Sequence, residues 1–178
     1  MTGFSVAGCF ILNFVFMSEE RGKTQKIFTP HEALVKAESW CAYQERCQQE
    51  TRDKLYSWGL HQHDVENVIA ELITKNFLSE ERFAKAYAGG KFRIKKWGRV
   101  KIRLELKRRK LSDYCIKKGL AEIDEDDYLK TLKKIAEEKS KNVKEKNALK
   151  KKFKVMNYLL SRGFENDLVR EVVGEFDD

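Results

Sequence analysis

The chain contains one proline and ten glycines in 178 residues. An all-β fold needs such residues for its many tight turns, so their scarcity argues for helices. The abundance of Lys, Glu, Leu, Arg and Ala points the same way. Histidine is scarce too, with three copies, all within the first 63 residues. No His–acid–nucleophile set is evident, and no GxxxxGK[ST] or GxGxxG loop is present to cradle phosphate. The four cysteines, Cys9, Cys41, Cys47 and Cys115, form no CxxC pair and stand at no zinc spacing to the histidines. They read as reduced thiols with half-buried packing roles. His61 and His63 make an HxH pair beside Gly59 that lacks further ligands. The expected sets of catalytic residues, metal ligands and cofactors are therefore empty. Long apolar runs are missing as well, apart from Phe4 to Phe16, which only Ser5 and Asn13 interrupt. That run is too short to cross a bilayer comfortably. It also lacks the basic leading region and small-residue cleavage site of a signal peptide. After Met17 the chain continues SEERGKTQK, which resembles the polar start of a soluble protein. Residues 1–29 are expected to be a disordered apolar-then-polar segment with translation starting at Met17. A short membrane-contacting anchor is the alternative.

Positive charge is plentiful. Thirty-six Lys and Arg against 28 Asp and Glu give a net charge of +8, which suits a protein that faces phosphates. An apolar fraction of 42 % is too high for a disordered chain. The densest stretch, KFRIKKWGRVKIRLELKRRK at 91–110, holds eleven Lys and Arg and a single acid, Glu105. It is either a solvated basic face or a surface for a polyanion.

Helix-start signals recur along the chain. Thr29-Pro30-His31-Glu32 carries a cap, a proline at the first helical position and the acid of a capping box. Ser79, Ser112 and Asp124 open similar segments, and the DEDD at 124–127 needs no role beyond favouring a helix macrodipole. Self-comparison then aligns 54–72, 105–123 and 158–176. With Gly59, Lys110 and Gly163 equivalent, Leu55, Leu106 and Leu159 precede them. Leu60, Leu111 and Phe164 follow, then Val65, Ile116 and Val169, then Ile69, Leu120 and Val173. Each unit is a helix, a turn and an amphipathic helix, with one more helix ahead. The predicted fold is all-α, with three tandem three-helix repeats at 30–77, 78–123 and 124–178 forming an elongated, curved helical array. Gly59 and Gly163 suit a left-handed C′ position, whereas Lys110 there costs local strain.

The segment 77–116 closely resembles the central repeat of the RecX family, bacterial regulators of the RecA recombinase. The matching residues are Phe77-Leu78, Glu80-Glu81, Arg82-Phe83-Ala84, Tyr87, the run from Lys91, Gly98, Ile102 and Glu105-Leu106. Flanking repeats match more loosely, so the likeness extends over about 31–176. Arg99 and Lys110 stand where the family often has Pro and Gly. The resemblance implies a cytoplasmic, non-enzymatic protein, and a monomer with no membrane partner is expected. It would bind the RecA filament on single- or double-stranded DNA and restrain its ATP hydrolysis and strand exchange. A general, sequence-independent nucleic-acid-binding helical protein without a recombinase partner is the alternative.

On a helix from Gly98 to Lys110, the residues Lys96, Arg99, Arg103, Lys107 and Lys110 would form one basic stripe. Ile102 and Leu106 would dock that helix, and Val100 and Leu104 would point toward a neighbouring unit. The preceding helix adds Lys91, Arg93 and Lys95. Its Phe92 and Trp97 read as core or as base-stacking platforms, with packing favoured. The run from Lys144 to Lys154 is a solvated face or a second contact region, with Phe153 and Met156 expected in the core. Candidate nucleic-acid and filament contacts are thus Lys91, Arg93, Lys95, Lys96, Arg99, Lys101, Arg103, Lys107, Arg108, Lys110, Lys150 and Lys151. Such contacts position a protein without reading sequence, and they weaken steeply with salt. Arg99→Glu with Arg103→Glu is expected to weaken binding while nearly keeping thermal stability.

Overall fold

Helix starts in this chain are written in short polar side chains. In the computed structural model, which describes residues 27–175, Thr29 closes a full capping box with Glu32 at the head of α1 (Pro30–Tyr43). Ser79 caps α4 (Glu80–Lys95), Ser112 caps α6 (Asp113–Leu120) and Asp124 caps α7 (Glu125–Asn142). Each accepts from the backbone N–H three residues on, satisfying one amide that the first helical turn leaves unpaired. The remaining helices are α2 (Gln48–Ser57), α3 (Gln62–Thr74), α5 (Arg99–Arg108), α8 (Ala148–Arg162) and α9 (Asn166–Gly174). No strand occurs among the described residues. Expectations for residues 1–16 and for Cys9 lie outside those residues. Phe28, grouped above with the N-terminal segment, donates its backbone N–H to the Trp58 carbonyl at 3.1 Å and packs against the Trp58 ring.

The helices associate in consecutive triplets, α1–α3, α4–α6 and α7–α9. The repeat register is carried by one turn used three times. Gly59, Lys110 and Gly163 have φ of +88°, +59° and +89°. Leu60, Leu111 and Phe164 each donate back to the carbonyls of Leu55, Leu106 and Leu159 at 3.3–3.4 Å. This is the bond pattern of a Schellman turn, and it explains the hydrophobic alignment. All twelve residues aligned in the sequence are at least 92 % buried. Lys110 holds the left-handed conformation without being glycine, a strain of about 1–2 kcal/mol.

The buried residues form two clusters. One fills the first unit, around Leu34, Leu55, Trp58, Val65 and Leu72. The other runs without a break through the second and third units. Phe92, Tyr128 and Phe164 bridge these two units, with ring centroids 5.6 and 5.3 Å apart. Cys41 and Cys47 are fully buried rather than half-buried. The Cys47 sulfur accepts from the Glu50 N–H at the head of α2, and burial pushes its thiol up to about 11.

Candidate nucleic-acid and filament interface

The basic stretch at 91–110 folds into the end of α4, a short turn and α5. α4 stops because Lys96 takes the left-handed conformation, φ 53°, and Gly98 then caps α5. Lys96 therefore sits outside α5, and Lys110 lies beyond its end. The expected continuous stripe is broken: of its five members only Arg99, Arg103 and Lys107 lie within α5.

Arg99 is also drawn away from solvent. Its guanidinium pairs with Glu125 at 2.7 Å, donates to the Ile123 carbonyl and lies 4.2 Å from the Tyr128 ring centroid. Its backbone N–H donates to Tyr128 Oη at 2.9 Å, and that hydroxyl donates to Glu165 at 2.6 Å. Burial works against the Arg99 charge, and the Glu125 hydrogen bond together with the electrostatic pull of Glu125, Tyr128 and Glu165 more than offsets it. The same bond holds the Glu125 carboxyl below its ordinary range. Burial, with the Glu165 hydrogen bond, pushes the Tyr128 phenol up. Arg99 is thus a tie between the second and third units. The expectation that Arg99→Glu nearly keeps stability is corrected, because it would set a carboxylate beside Glu125.

The neighbouring cations divide by partner. Lys91 lies over the Tyr87 and Trp97 rings, and Lys101 over Trp97 at 4.7 Å. Trp97 packs on the core and Phe92 is buried within it, so both aromatics serve packing. Lys107 pairs with Asp113 at 3.3 Å and Arg108 with Glu105 at 2.8 Å. Arg93, Lys95, Lys96, Arg103 and Lys110 are exposed, with no ion-pair partner among the described residues. Ile102 and Leu106 are fully buried and dock α5 as expected. In the third unit Lys150 is exposed and Lys151 half-buried at the start of α8. Phe153 is 56 % exposed, contrary to its expected core position, because α8 turns Val155 and Leu159 inward instead. Met156 does pack against the core.

A cleft of about 420 Å³ separates the first and second units. Gln44, Glu45, Arg46 and Glu50 form one wall, and Tyr87, Lys91 and Lys95 belong to the other. Arg109 crosses the same junction, bonded to Glu50 at 3.1 Å and to the Glu105 carbonyl at 2.8 Å. Sequence reasoning missed the structural roles of Arg109, Tyr128 and Glu165. Their partners lie 29 to 59 residues away, and no local spacing signals them. The acids at 124–127 cap a helix as expected, and Glu125 additionally anchors Arg99. His61 and His63 are exposed. No metal-holding group of His, Cys, Asp and Glu occurs among the described residues, and no described helix is long and apolar enough to cross a membrane.

Fold and surface together define an all-α protein of three-helix repeats whose middle unit presents unpaired cations. Family models for the first, second and third three-helix domains of RecX match residues 33–72, 79–120 and 125–173. The chain belongs to the RecX family. It is 32 % identical over 130 residues to the regulatory protein RecX of Clostridium perfringens, covering 72 % of this chain and 60 % of that relative. The Clostridium acetobutylicum protein of the same name is 31 % identical over 134 residues, covering 73 % and 62 %. The chain thus spans about three fifths of the length of these curated relatives. A crystal structure of RecX from Lactobacillus salivarius has a TM-score of 0.74 at 22 % identity, covering 83 % of this chain and 96 % of that one. That likeness concerns the fold.

Proposed function

We propose that this chain binds the RecA recombinase filament on DNA and restrains its ATP hydrolysis and strand exchange. In this reading it acts in the cytoplasm as a monomer and without catalysis of its own. Membership of a family of regulatory proteins supports the reading. The observation that carries it at the level of residues is the group of unpaired, exposed cations in the second unit: Arg93, Lys95, Lys96, Arg103 and Lys110. These cations meet phosphate, and Lys107, Arg108, Lys150 and Lys151 add weaker contacts because they are paired or lie apart. Lys91, Lys101 and Arg99 support the surface from behind. The working units are 30–77, 78–123 and 124–178, each able to turn a different face to the filament.

A DNA-dependent ATPase assay of the recombinase tests this reading, run beside direct DNA binding. Inhibition at concentrations well below those that coat the DNA is the expected result. Inhibition that begins only at coating levels would instead favour a general nucleic-acid binder. Lys95→Glu with Arg103→Glu is expected to weaken DNA binding. The slope of log affinity against log salt should become shallower by about one for each phosphate that is no longer neutralised.

A further inference from the structure

Helix α8 buries one face through Val155 and Leu159 yet carries a second apolar line. Leu149, Phe153 and Leu160 stand four and seven residues apart, which places them on one side of the helix. They are 65, 56 and 37 % exposed. The line continues across the unit junction, where Leu160 shares a groove of about 270 Å³ with Val100, Leu104 and Gly163. Val100 and Leu104, on the outer side of α5, are 44 and 55 % exposed. Scattered exposed apolar residues are ordinary, but a contiguous line of them marks an interaction surface.

The edges of this line are basic, with Lys101 and Arg108 on α5 and Lys150 and Lys154 on α8. Nearby acids are already engaged, Glu105 by Arg108 and Arg109 and Glu145 by Lys154. Leu149 to Leu160 spans about 16 Å along α8, three turns of a helix lying beside it. A groove between two helices accepts a rod better than a flat bilayer, and apolar side chains offer nothing to phosphate.

We propose that this line is the docking site for an amphipathic helix of a protein partner, with an apolar edge flanked by Asp and Glu. Naming that partner as the recombinase rests on the filament reading above. The middle unit would then meet DNA with Arg93, Lys95, Lys96, Arg103 and Lys110, while the apolar line of α5 and α8 holds protein.

The test uses Leu104→Gln with Phe153→Gln in the full chain, which keeps the charge and alters two exposed positions. Filament affinity is expected to fall about tenfold or more, as for loss of interface anchors, with affinity for naked DNA unchanged. A synthetic helical peptide carrying leucines at i, i+4, i+7 and i+11 between glutamates should bind the wild type and lose the variant. Unchanged filament and peptide binding by the variant would overturn the docking site, while wild-type filament binding would leave the functional reading intact. A wild type that ignores the filament but binds the peptide through this line would sink the functional reading and keep the site. Equal losses on naked DNA would overturn the site in favour of nucleic acid. A wild-type dimer in sedimentation, abolished by the variant, would overturn it in favour of a second copy.

Discussion

The two unit junctions are built from different materials. Between the second and third units the join is apolar and made of backbone, with the Arg99–Glu125 pair beside it. Phe92, Tyr128 and Phe164 pack ring against ring across it. The N–H groups of Gly98 and Val100 donate to the carbonyls of Arg162 and Gly163 at 2.9 and 3.0 Å. The unpaired amides that open α5 thus meet the unpaired carbonyls that close α8, and each end satisfies the other. Between the first and second units Cys47 reaches into the second unit's core, and long charged side chains surround a cleft beside it. Arg82 reaches Glu45 at 2.8 Å and the Asn76 carbonyl at 2.8 Å, and Arg109 reaches Glu50. Partly exposed ion pairs of this kind contribute modestly and are screened by salt, whereas buried packing is not screened. The second and third units therefore behave as one body, to which the first is more loosely joined.

Gly98→Ala is the severest challenge to that comparison. A Cβ there would overlap the Gly163 carbonyl and the Phe164 amide, so the two helix ends would have to part. We expect a loss of about 3 kcal/mol in urea unfolding, with the second and third units affected together. Tyr128→Phe keeps the ring packing but strips partners from Glu165 and the Arg99 amide, and should cost about 1–2 kcal/mol. An unchanged unfolding midpoint would show that the ring alone makes this junction. Arg82→Ala should cost about 1 kcal/mol or less, and less again in high salt. Hydrogen exchange should then quicken in α1–α3 and stay unchanged in α7–α9. Equal quickening throughout would erase the distinction between the junctions.

The smallest effect concerns pH. The Arg99 hydrogen bond sets the folded-state pKa of Glu125 below its ordinary 4.5. Its stabilisation is therefore complete above that value and is lost as pH falls through the depressed folded value. Glu125 is 62 % exposed, so a difference of about 0.5 kcal/mol is expected between wild type and Glu125→Gln at pH 7. The difference should vanish in acid. A difference that persists below the carboxylate range would assign the effect to packing.

Local rules made much of this fold legible in advance. Caps at Thr29, Ser79, Ser112 and Asp124 follow from neighbours three residues apart, and the threefold turn follows from Gly59 and Gly163. Even the strain at Lys110 was visible, because the repeat alignment places it opposite two glycines. The candidate surface was less legible. A run of cations shows charge but not which members are already bound, and Arg99 was withdrawn by an acid 26 residues away. Lys96 fell outside the stripe because it ends α4 in the left-handed conformation, before the helix whose spacing it was expected to share. Phe153 was misplaced for a related reason: two apolar lines run along α8, and only packing decides which one turns inward.

The mutual satisfaction of α5 and α8 also orders events during synthesis. The carbonyl that receives the Gly98 amide belongs to Arg162, 64 positions later in the chain. Until that residue leaves the ribosome, the middle unit must wait with open amides at the head of α5 and part of its apolar interior in water. The first unit, whose buried cluster draws on no residue beyond Leu78, is under no such delay. A ribosome that stalls before Arg162 would therefore release a folded first unit and a middle unit that chaperones must shield.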